Sequence, residues 1–309
     1  MVKETPLVSV VLLSYERPHL LKNALESLVG QSYKNLKIIV VNNKGDSSDR
    51  IAEIVNEYSK IKLIRNERNL GFSGGMNRGI DEASGKYVFL TEDDIIIEKN
   101  CITYLVDYME NNTSTGFASG IMYNKNNGTI RCAGGELSLG TVYSQKFYGA
   151  GEKDSGQFSL SFNVTYIPGA MMFCRQEIMK KLGGFRQEFF MYYEDAELCL
   201  RVLKSGYKIT IIPQAKTFHY DPPDVNLSEE MRFYGLRNLF SIYILHAPFF
   251  TFLVFIIRYG FINLFKFGWQ ERKDFLILLK VWFWFIKRMP SLFIERYQYE
   301  NTSYQQFSS

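Results

Sequence analysis

VSVVLLSYERP, residues 8–18, joins a continuous apolar run to a proline that can occupy the first position of a helix. Three similar apolar runs follow before residue 97, at Leu36–Val41, Ile61–Ile64 and Tyr87–Leu90. Amphipathic segments lie between the runs, at Pro18–Val29, Ser47–Tyr58 and Ser73–Ala83. Short, continuous apolar strands separated by helices indicate a mostly parallel sheet covered on both faces. We therefore predict an α/β fold with a central sheet and flanking helices.

Ligands of such sheets bind beyond the carboxyl ends of the strands. Four polar segments directly follow predicted strands, at Ser14–Pro18, Asn42–Asp46, Arg65–Gly75 and Glu92–Asp94. We therefore expect these segments to share one crevice. Glycines at 71, 74 and 75 would let the backbone approach a ligand closely, and the alternative is a loop before a tightly packed helix.

The acidic cluster Glu92-Asp93-Asp94 follows the buried run Tyr87–Leu90. Clustered carboxylates are unfavourable unless water, donors or a cation balance them. Their oxygens suit Mg²⁺ or Mn²⁺, ions that keep open positions for substrate phosphates. The cluster therefore indicates a metal site for a substrate with a diphosphate, and the alternative is that it caps the strand and the next helix.

A second acidic cluster, Glu194-Asp195, follows the aromatic run Phe189–Tyr193 and starts a helix predicted to run to Lys204. A carboxylate within reach of a hydroxyl can remove its proton as a bond forms. Because a helix N-terminus favours the ionised form, we expect Asp195 to be ready to accept a proton. The alternative is helix capping by Glu194, Asp195 and Glu197.

Composition excludes several classes of protein. The 309 residues are 46% hydrophobic and 22% charged with a net charge of +4, a basic bias too weak to indicate nucleic-acid binding. The segments after the first and third strands lack the G-x-G-x-x-G spacing, which disfavours a dinucleotide-dependent oxidoreductase. No charged n-region with an apolar h-region opens the sequence, so we do not expect a secretory signal. The four cysteines contain no C-x-x-C pair, and we predict reduced core thiols.

Four motifs resemble those of bacterial and archaeal family-2 glycosyltransferases, most closely the rhamnosyltransferase-like branch. They are VSVVLLSYERP at 8–18, NLGFSGGMNRG at 69–79, Glu92-Asp93-Asp94, and GGF at 183–185 continued by FMYYEDAELCLR at 190–201. The match spans roughly residues 7 to 240 with its motifs in order. The resemblance implies a GT-A fold, a nucleotide-diphosphate sugar donor, a divalent cation, Mg²⁺ or Mn²⁺, and inversion at the anomeric carbon.

The resemblance also assigns roles to residues. Asp94 would be the direct metal ligand of an Asp-x-Asp motif in which Glu92 stands where Asp is usual. His219 would be a second ligand, although an isolated histidine is otherwise more often a surface or core residue. Asp195 would be the catalytic base. Asn42 stands where the family commonly has an Asp that accepts from the pyrimidine ring, and its amide oxygen can still accept.

Donor binding is expected from the residues of the crevice, and arginines suit phosphate because they form bidentate contacts. Solvated surface charge is the alternative for Arg78 in particular. The candidates are Ser14, Tyr15, Glu16, Arg17, Asn42, Arg65, Asn69, Gly71, Gly75, Arg78, Glu92 and Asp93.

The character of the chain changes after about residue 228. The stretches 237–269 and 275–293 are rich in aromatic and aliphatic residues but are interrupted by Arg258, Lys266, Lys280, Lys287 and Arg288. An arrangement at the membrane interface fits better than a spanning helix, because basic and aromatic residues belong at the headgroup level. The alternative is a helical dimer interface or cap. We predict a catalytic domain at 1–227 and a helical region that associates with membrane or oligomerises at 228–309.

The sequence therefore predicts a metal-dependent inverting glycosyltransferase on the cytosolic face of the membrane, bound peripherally. It would move a sugar, with rhamnose as one candidate, from a dTDP- or UDP-linked donor to a glycan acceptor. The acceptor would be lipid-linked and used in cell-surface polysaccharide assembly. The alternative is a catalytically silent subunit that binds sugar nucleotides within a glycan-assembly complex. Neither hypothesis involves nucleic acid, and a homo-oligomer fits both.

Overall fold

The computed structural model describes the backbone of residues 5–220, 227–262 and 272–307, and their side chains except at 260–262, 272–274 and 300–307. The chain divides into two compact units. Unit 1 comprises Met1–Glu136, Lys146–Phe190 and Glu194–Pro223. Unit 2 comprises Leu137–Gln145, Met191–Tyr193 and Asp224–Ser309. Lys266, one of the predicted interfacial basic residues, lies outside the described residues.

Unit 1 begins with alternating strands and helices. The strands are β1 (Val8–Ser14), β2 (Leu36–Asn42), β3 (Lys62–Arg65) and β4 (Tyr87–Glu92), and the helices are α1 (Pro18–Val29), α2 (Ser48–Asn56) and α3 (Gly71–Asp81). β1 pairs in parallel with both β2 and β4, and β2 pairs in parallel with β3. The register sets Ser14 beside Asn42 and Leu13 beside Glu92, so the polar residues after these strands lie at one edge of the sheet.

The second half of unit 1 extends the same sheet. Its elements are β5 (Ile95–Ile97), α4 (Cys101–Asn111), β6 (Thr115–Asn124), β7 (Ile130–Cys132), β10 (Phe162–Val164), β11 (Met171–Arg175), α5 (Gln176–Leu182), a 3₁₀ turn (Gln187–Phe189), α6 (Glu194–Lys204) and β12 (Lys208–His219). The strands β8 (Gly135–Leu139) and β9 (Tyr143–Phe147) form a separate two-stranded sheet, most of which belongs to unit 2. In the described chain the main sheet has the order β10-β12-β6-β11-β4-β1-β2-β3, with β5 on β12 and β7 on β6. β11 is antiparallel to β4 and β6, so the sheet is mixed. The predicted α/β class is confirmed.

The sheet is stable because its strands are buried on both faces. Every residue of β1 and β11 is buried, as the continuous apolar runs require. Tyr87, Phe89 and Phe173 lie at the centre, where the Tyr87 and Phe173 rings stack with centroids 5.0 Å apart. The four cysteines are buried and unpaired, in agreement with the prediction of core thiols.

Unit 2 consists mainly of α7 (Glu229–His246), α8 (Phe249–Phe255), a π-helical segment (Ile256–Ile262) and α9 (Arg272–Phe307). Ser228 caps α7 by accepting from the Met231 backbone N–H at 3.2 Å. The core of unit 2 is aromatic, with the Phe240 ring set edge-on against Phe255 and Phe285. Among the described helices, none combines the length and the apolar character needed to cross a bilayer.

Candidate active site

Asp93 is the buried centre of the first acidic cluster. Its Oδ2 accepts from the Ser14 hydroxyl at 2.7 Å and from the Tyr15 backbone N–H at 3.1 Å. Burial raises the pKa of Asp93 to about 6, against the opposing effect of Arg17. Because Ser14 is itself fully buried, its hydroxyl holds Asp93, whereas the Tyr15 ring is exposed. The Tyr15 ring is therefore the part of this turn that a bound sugar-nucleotide donor could contact.

Arg17 lies among the three carboxylates. Its guanidinium contacts Asp93 Oδ1 at 2.8 Å and Glu92 Oε2 at 3.5 Å, and it also pairs with Asp94 Oδ2. A guanidinium between clustered carboxylates offsets their repulsion. Arg17 is therefore already paired with the acidic cluster while it lies in the predicted donor crevice.

Asp94 and His219 lie together, as the sequence predicts for two metal ligands. β5, directly after Asp94, pairs antiparallel with the end of β12, and this pairing sets His219 opposite Ile95. His219 Nε2 lies 3.7 Å from Asp94 Oδ2. Burial lowers the pKa of His219 to about 4, which leaves its imidazole neutral at physiological pH, the form that binds metals.

The residues present fit a divalent cation that has two protein ligands. Within the described chain, Asp94 Oδ1 is buried and accepts no hydrogen bond, so this carboxylate oxygen is open to a cation. No group of three or more His, Cys, Asp and Glu side chains within the described chain could hold a metal ion unaided. A cation here would take its other ligands from substrate phosphate and water.

Asp195 is held at the start of α6 by two donors from outside the helix. Its Oδ2 accepts from the Tyr166 hydroxyl at 2.7 Å and from the Gly169 backbone N–H at 3.1 Å. Burial raises the pKa of Asp195, although these hydrogen bonds oppose the shift. The expectation that the helix N-terminus lowers the pKa of Asp195 is therefore wrong, because desolvation raises this pKa and is the larger effect. A raised pKa suits a group that must take up a proton near neutral pH.

The two acidic clusters interact electrostatically. Burial raises the pKa of Glu194 well above its ordinary value, with Asp195 as the next cause and Glu92 as a further contributor. Burial, followed by the charge of Asp94, raises the pKa of Glu92 to about 8. The fold therefore brings the predicted metal end and the predicted base end of the site into one electrostatic environment.

The turn that leads into α6 has an unusual backbone. Phe190, Tyr192 and Tyr193 have φ values of 64°, 70° and 65°. Bulky aromatic residues rarely adopt this left-handed region, and each such residue costs on the order of 1–3 kcal/mol. The Phe190 carbonyl accepts from the Ser73 backbone N–H at 3.1 Å, which ties the start of the turn to α3. Strain of this kind directly before Asp195 marks a position that the surrounding structure holds in place.

An asparagine cluster organises the loops after β2 and β3. Asn43 donates to Asn69 Oδ1 at 3.0 Å and to the Gly71 carbonyl at 2.9 Å, and its Oδ1 accepts from Asn66 at 3.0 Å. Asn42 is buried and donates to the Ser48 carbonyl at 2.7 Å. The structure therefore brings Asn42 and Asn69 into the crevice, where their amides brace the loops.

Glu16 braces the neighbouring loop. Its carboxylate accepts from the Asp46 backbone N–H and, at 3.2 Å, from the Ser47 hydroxyl. Arg65 lies at the end of β3 and is exposed, paired with Asp49. Arg65 lies opposite Asn42 in the pairing of β2 with β3, so it is at the same edge of the sheet, and a role of Glu16 and Arg65 in donor binding stays a prediction.

Arg78 is the donor-binding candidate that the structure does not bring to the crevice. It lies in the last turn of α3, and α3 runs back toward the starts of the strands. Its charge acts on Glu82, which is also paired with Lys62 at the start of β3. The alternative of a solvated surface charge describes Arg78 better, because the helix carries it to the opposite edge of the sheet.

Gly71 and Gly75 serve packing between protein segments. A Cβ on Gly71 would lie 2.3 Å from the Phe190 carbonyl oxygen, and one on Gly75 would lie 2.5 Å from Leu13 Cδ1. The structure therefore supports the alternative of a tightly packed helix start, and a close approach of these glycines to a ligand stays a prediction. The backbone at Gly71, with a φ of 69°, also favours glycine over any residue with a side chain.

Replacing Gly71 by alanine should lower the free energy of unfolding by about 2–5 kcal/mol, because it combines left-handed strain with a backbone clash. Gly128→Ala is the matched control, since Gly128 has a φ of 72° but a Cβ there would meet no described atom within 4 Å. The control should lose only about 1–2 kcal/mol. Urea unfolding of both variants measures the difference, and equal losses would show that the Phe190 contact is unimportant.

Tyr166 is a site residue that sequence reasoning missed, and Asn43 was expected at the crevice only as part of the segment Asn42–Asp46. Tyr166 lies in a region of irregular β structure without a motif, and only the fold brings its hydroxyl to Asp195. Asn43 directly follows Asn42 at a strand end, and that position was a usable signal.

Comparison with known proteins is consistent with this geometry. Residues 9–183 match the family described as glycosyl transferase family 2, and residues 152–222 match one described as the N-terminal domain of galactosyltransferase. The chain is 30% identical over 229 residues to a probable glycosyltransferase, YdaM, of Bacillus subtilis, and the match covers 71% of this chain and 52% of that protein. This chain therefore spans about half the length of YdaM.

Two further likenesses extend the comparison. An amylovoran biosynthesis glycosyltransferase, AmsB, of Erwinia amylovora is 29% identical over 210 residues, with 67% of each chain covered. The crystal structure of GalNAc-T7 with UDP, GalNAc and Mn²⁺ superposes with a TM-score of 0.65 at 14% identity, covering 84% of this chain and 51% of that chain. At this identity the structural likeness establishes the shared fold.

Proposed function

The chain belongs to glycosyl transferase family 2, and on this premise we propose that it is a metal-dependent inverting glycosyltransferase acting on a nucleotide-diphosphate sugar. The observation that carries the proposal is the approach of His219 Nε2 to Asp94 Oδ2 at 3.7 Å, beside a Glu92 whose charge also acts on Glu194 of the second acidic cluster. The donor would be UDP- or dTDP-linked, with rhamnose as a candidate sugar. The acceptor would be a glycan on a lipid carrier in surface polysaccharide assembly, and the likeness to AmsB, a glycosyltransferase of amylovoran biosynthesis, supports a role in glycan assembly.

Asp195 is the proposed base. An acceptor hydroxyl attacks the anomeric carbon from the side opposite the diphosphate, so a new C–O bond forms as the bond to the leaving oxygen breaks. The hydroxyl proton passes to Asp195, and the bonding electrons leave with the diphosphate. The donors Tyr166 and Gly169 hold the Asp195 carboxylate through one oxygen, which fixes its orientation during this transfer.

Asp94 and His219 would hold Mg²⁺ or Mn²⁺, which when bound would neutralise the charge that develops on the leaving diphosphate. The GalNAc-T7 structure with UDP and Mn²⁺ supports the choice of a divalent cation and a nucleotide. Arg17 and the Tyr15 ring are the crevice residues best placed for the diphosphate and the base.

The proposal is tested first by binding. The apparent melting temperature should rise with nucleotide sugars in the presence of Mn²⁺, because a ligand of the native state at 100 times its Kd stabilises by about 2.7 kcal/mol. UDP- and dTDP-sugars are compared with ADP-sugars, each with Mn²⁺ and with EDTA. The reaction is then tested by transfer to a diphosphate-linked glycolipid. Mass spectrometry detects the product, and NMR determines its anomeric configuration. Binding without transfer would favour the catalytically silent subunit.

Unit 2 supports the proposed membrane contact. Exposed apolar side chains lie on both α8 and α9, and they are Phe249, Phe250, Leu253, Leu276, Leu279, Phe283 and Ile286. The last four recur at intervals of three and four residues, which sets them along one side of α9. Arg258, Lys280 and Lys287 are also exposed on unit 2. Apolar side chains with flanking lysines suit the boundary of a bilayer that carries anionic lipids.

A Phe250→Glu, Phe283→Glu double variant should bind anionic vesicles at least about tenfold more weakly, since burying one phenylalanine contributes about 1.5–3 kcal/mol. Leu160→Glu is the matched control, because Leu160 is 79% exposed but lies in unit 1, whereas Phe250 and Phe283 are 75% and 76% exposed. Liposome flotation in low and high salt makes the measurement. Unchanged flotation, or a full-length dimer that the double variant dissociates, would assign these apolar side chains to oligomerisation instead.

A further inference from the structure

We infer that Asn238, on α7, is a positioning residue for Asp195, holding the strained turn from which the proposed base projects. The inference rests on the proposed function, because it takes Asp195 as the base. It concerns a residue outside every motif that the sequence singles out.

Asn238 is fully buried and is directed at the turn. Its side-chain amide donates to the Met191 carbonyl at 2.9 Å and to the Tyr192 carbonyl at 2.8 Å. Met191–Tyr193 and α7 belong to the same compact unit. Tyr193 is followed directly by Glu194 and Asp195, so the turn held by Asn238 is continuous with the start of α6.

The geometry of the turn explains why it needs this contact. Two consecutive aromatic residues, Tyr192 and Tyr193, have left-handed backbones, and such a turn persists only where neighbouring groups hold it. The carbonyls of this half-buried turn lie outside any regular helix or strand, so they need donors from elsewhere in the chain. One primary amide supplies both donors from a single rigid point.

Asn238 is itself fixed by its neighbour in α7. Arg237 donates through Nε and Nη2 to Asn238 Oδ1 at 3.0 and 2.9 Å. The Arg237 guanidinium lies over the rings of Tyr234 and Trp284, 4.8 and 5.2 Å from their centroids. With its oxygen held by Arg237, the amide can present only its NH₂ group to the turn. The aromatic core of unit 2 therefore sets the orientation of the amide.

Asn238→Asp is the sharpest test, because aspartate has the same shape and keeps the pairing with Arg237 but has no hydrogen to donate. Transfer should fall on the order of tenfold in kcat, since small displacements of a catalytic group are costly. Donor Kd, measured by calorimetry with Mn²⁺, should stay within about twofold of wild type. Ser241→Ala is the control, since Ser241 is buried in α7 and donates to the Arg237 carbonyl at 3.2 Å.

The discriminating measurement combines Asn238→Asp with Asp195→Asn. If Asn238 acts through Asp195, adding Asn238→Asp to Asp195→Asn should lower the residual rate less than about twofold, because residues that act as a unit are not additive. Independent, multiplied losses would overturn the inference. Asn238→Ala repeats the test without a new carboxylate, and wild-type kcat in either folded variant also overturns it. Failure of the wild-type chain to bind donor or transfer sugar would instead overturn the proposed function.

Discussion

Asparagine in place of Asp195 should lower sugar transfer by about 10²- to 10⁴-fold while donor affinity stays near the wild-type value. The amide fills the same space and can still accept from Tyr166 and Gly169, but it cannot take up the acceptor proton. Single-turnover transfer and calorimetric titration of the donor, both with Mn²⁺, measure the two quantities separately. The loss should therefore lie in kcat.

Asp154→Asn is a matched control within the same unit. Asp154 also accepts from a tyrosine hydroxyl, that of Tyr123 at 2.5 Å, but it lies outside the acidic clusters. This variant should transfer sugar at the wild-type rate. Near-normal turnover by Asp195→Asn, with Asp154→Asn also unaffected, would remove Asp195 from the mechanism.

The same assignment predicts a pH dependence. Burial raises the pKa of Asp195, so the wild-type rate should fall as the pH drops through that raised value, where the base becomes protonated. The fall should occur at higher pH than an ordinary aspartate would give. In Asp195→Asn this acid limb should be absent from the residual rate, because the titrating group has been removed.

The sequence predicted the first half of unit 1 well, because buried parallel strands consist of continuous apolar runs that are easy to recognise. Helix α1 has the predicted bounds Pro18–Val29, with proline at its start. Helix α3 begins at Gly71, two residues before the predicted Ser73. The prediction was late because glycine has a low helix propensity. The start of α3 is fixed by a local contact, in which Asn69 Oδ1 accepts from the Gly71 N–H, and by a tertiary contact, in which Phe190 O accepts from the Ser73 N–H.

The acidic clusters stand out in the sequence, whereas some of the residues that contact them do not. Residues that follow neighbouring strands must meet at one edge, so Asp93 and Arg17 were within reach of sequence reasoning. The approach of His219 to Asp94 was expected from the family resemblance alone, since it depends on β5 pairing with β12, and Tyr166 reaches Asp195 through irregular structure. Side-chain amides such as Asn43 and Asn238 carry no periodic signal, because each hydrogen-bonds backbone distant in the sequence. The sign of the Asp195 pKa shift likewise depended on burial, which its position in a helix does not reveal.

Removing either proposed metal ligand, by Asp94→Ala or His219→Ala, should reduce the Mn²⁺-dependent part of donor affinity on the order of 10- to 100-fold. The fold should persist, because Asp93 keeps its contacts with Ser14, Tyr15 and Arg17. Without Mn²⁺, with EDTA present, wild type and variants should bind donor equally weakly.

Asp49→Asn is the control, since Asp49 is an exposed carboxylate that pairs with Arg65 and has no proposed role in binding the cation. Electron paramagnetic resonance of Mn²⁺ in the presence of UDP reports the cation directly, and calorimetry with and without Mn²⁺ reports the donor. Wild-type metal dependence in both ligand variants would contradict the assignment of Asp94 and His219, whereas a loss confined to Asp94→Ala would leave His219 as a neighbour of the site.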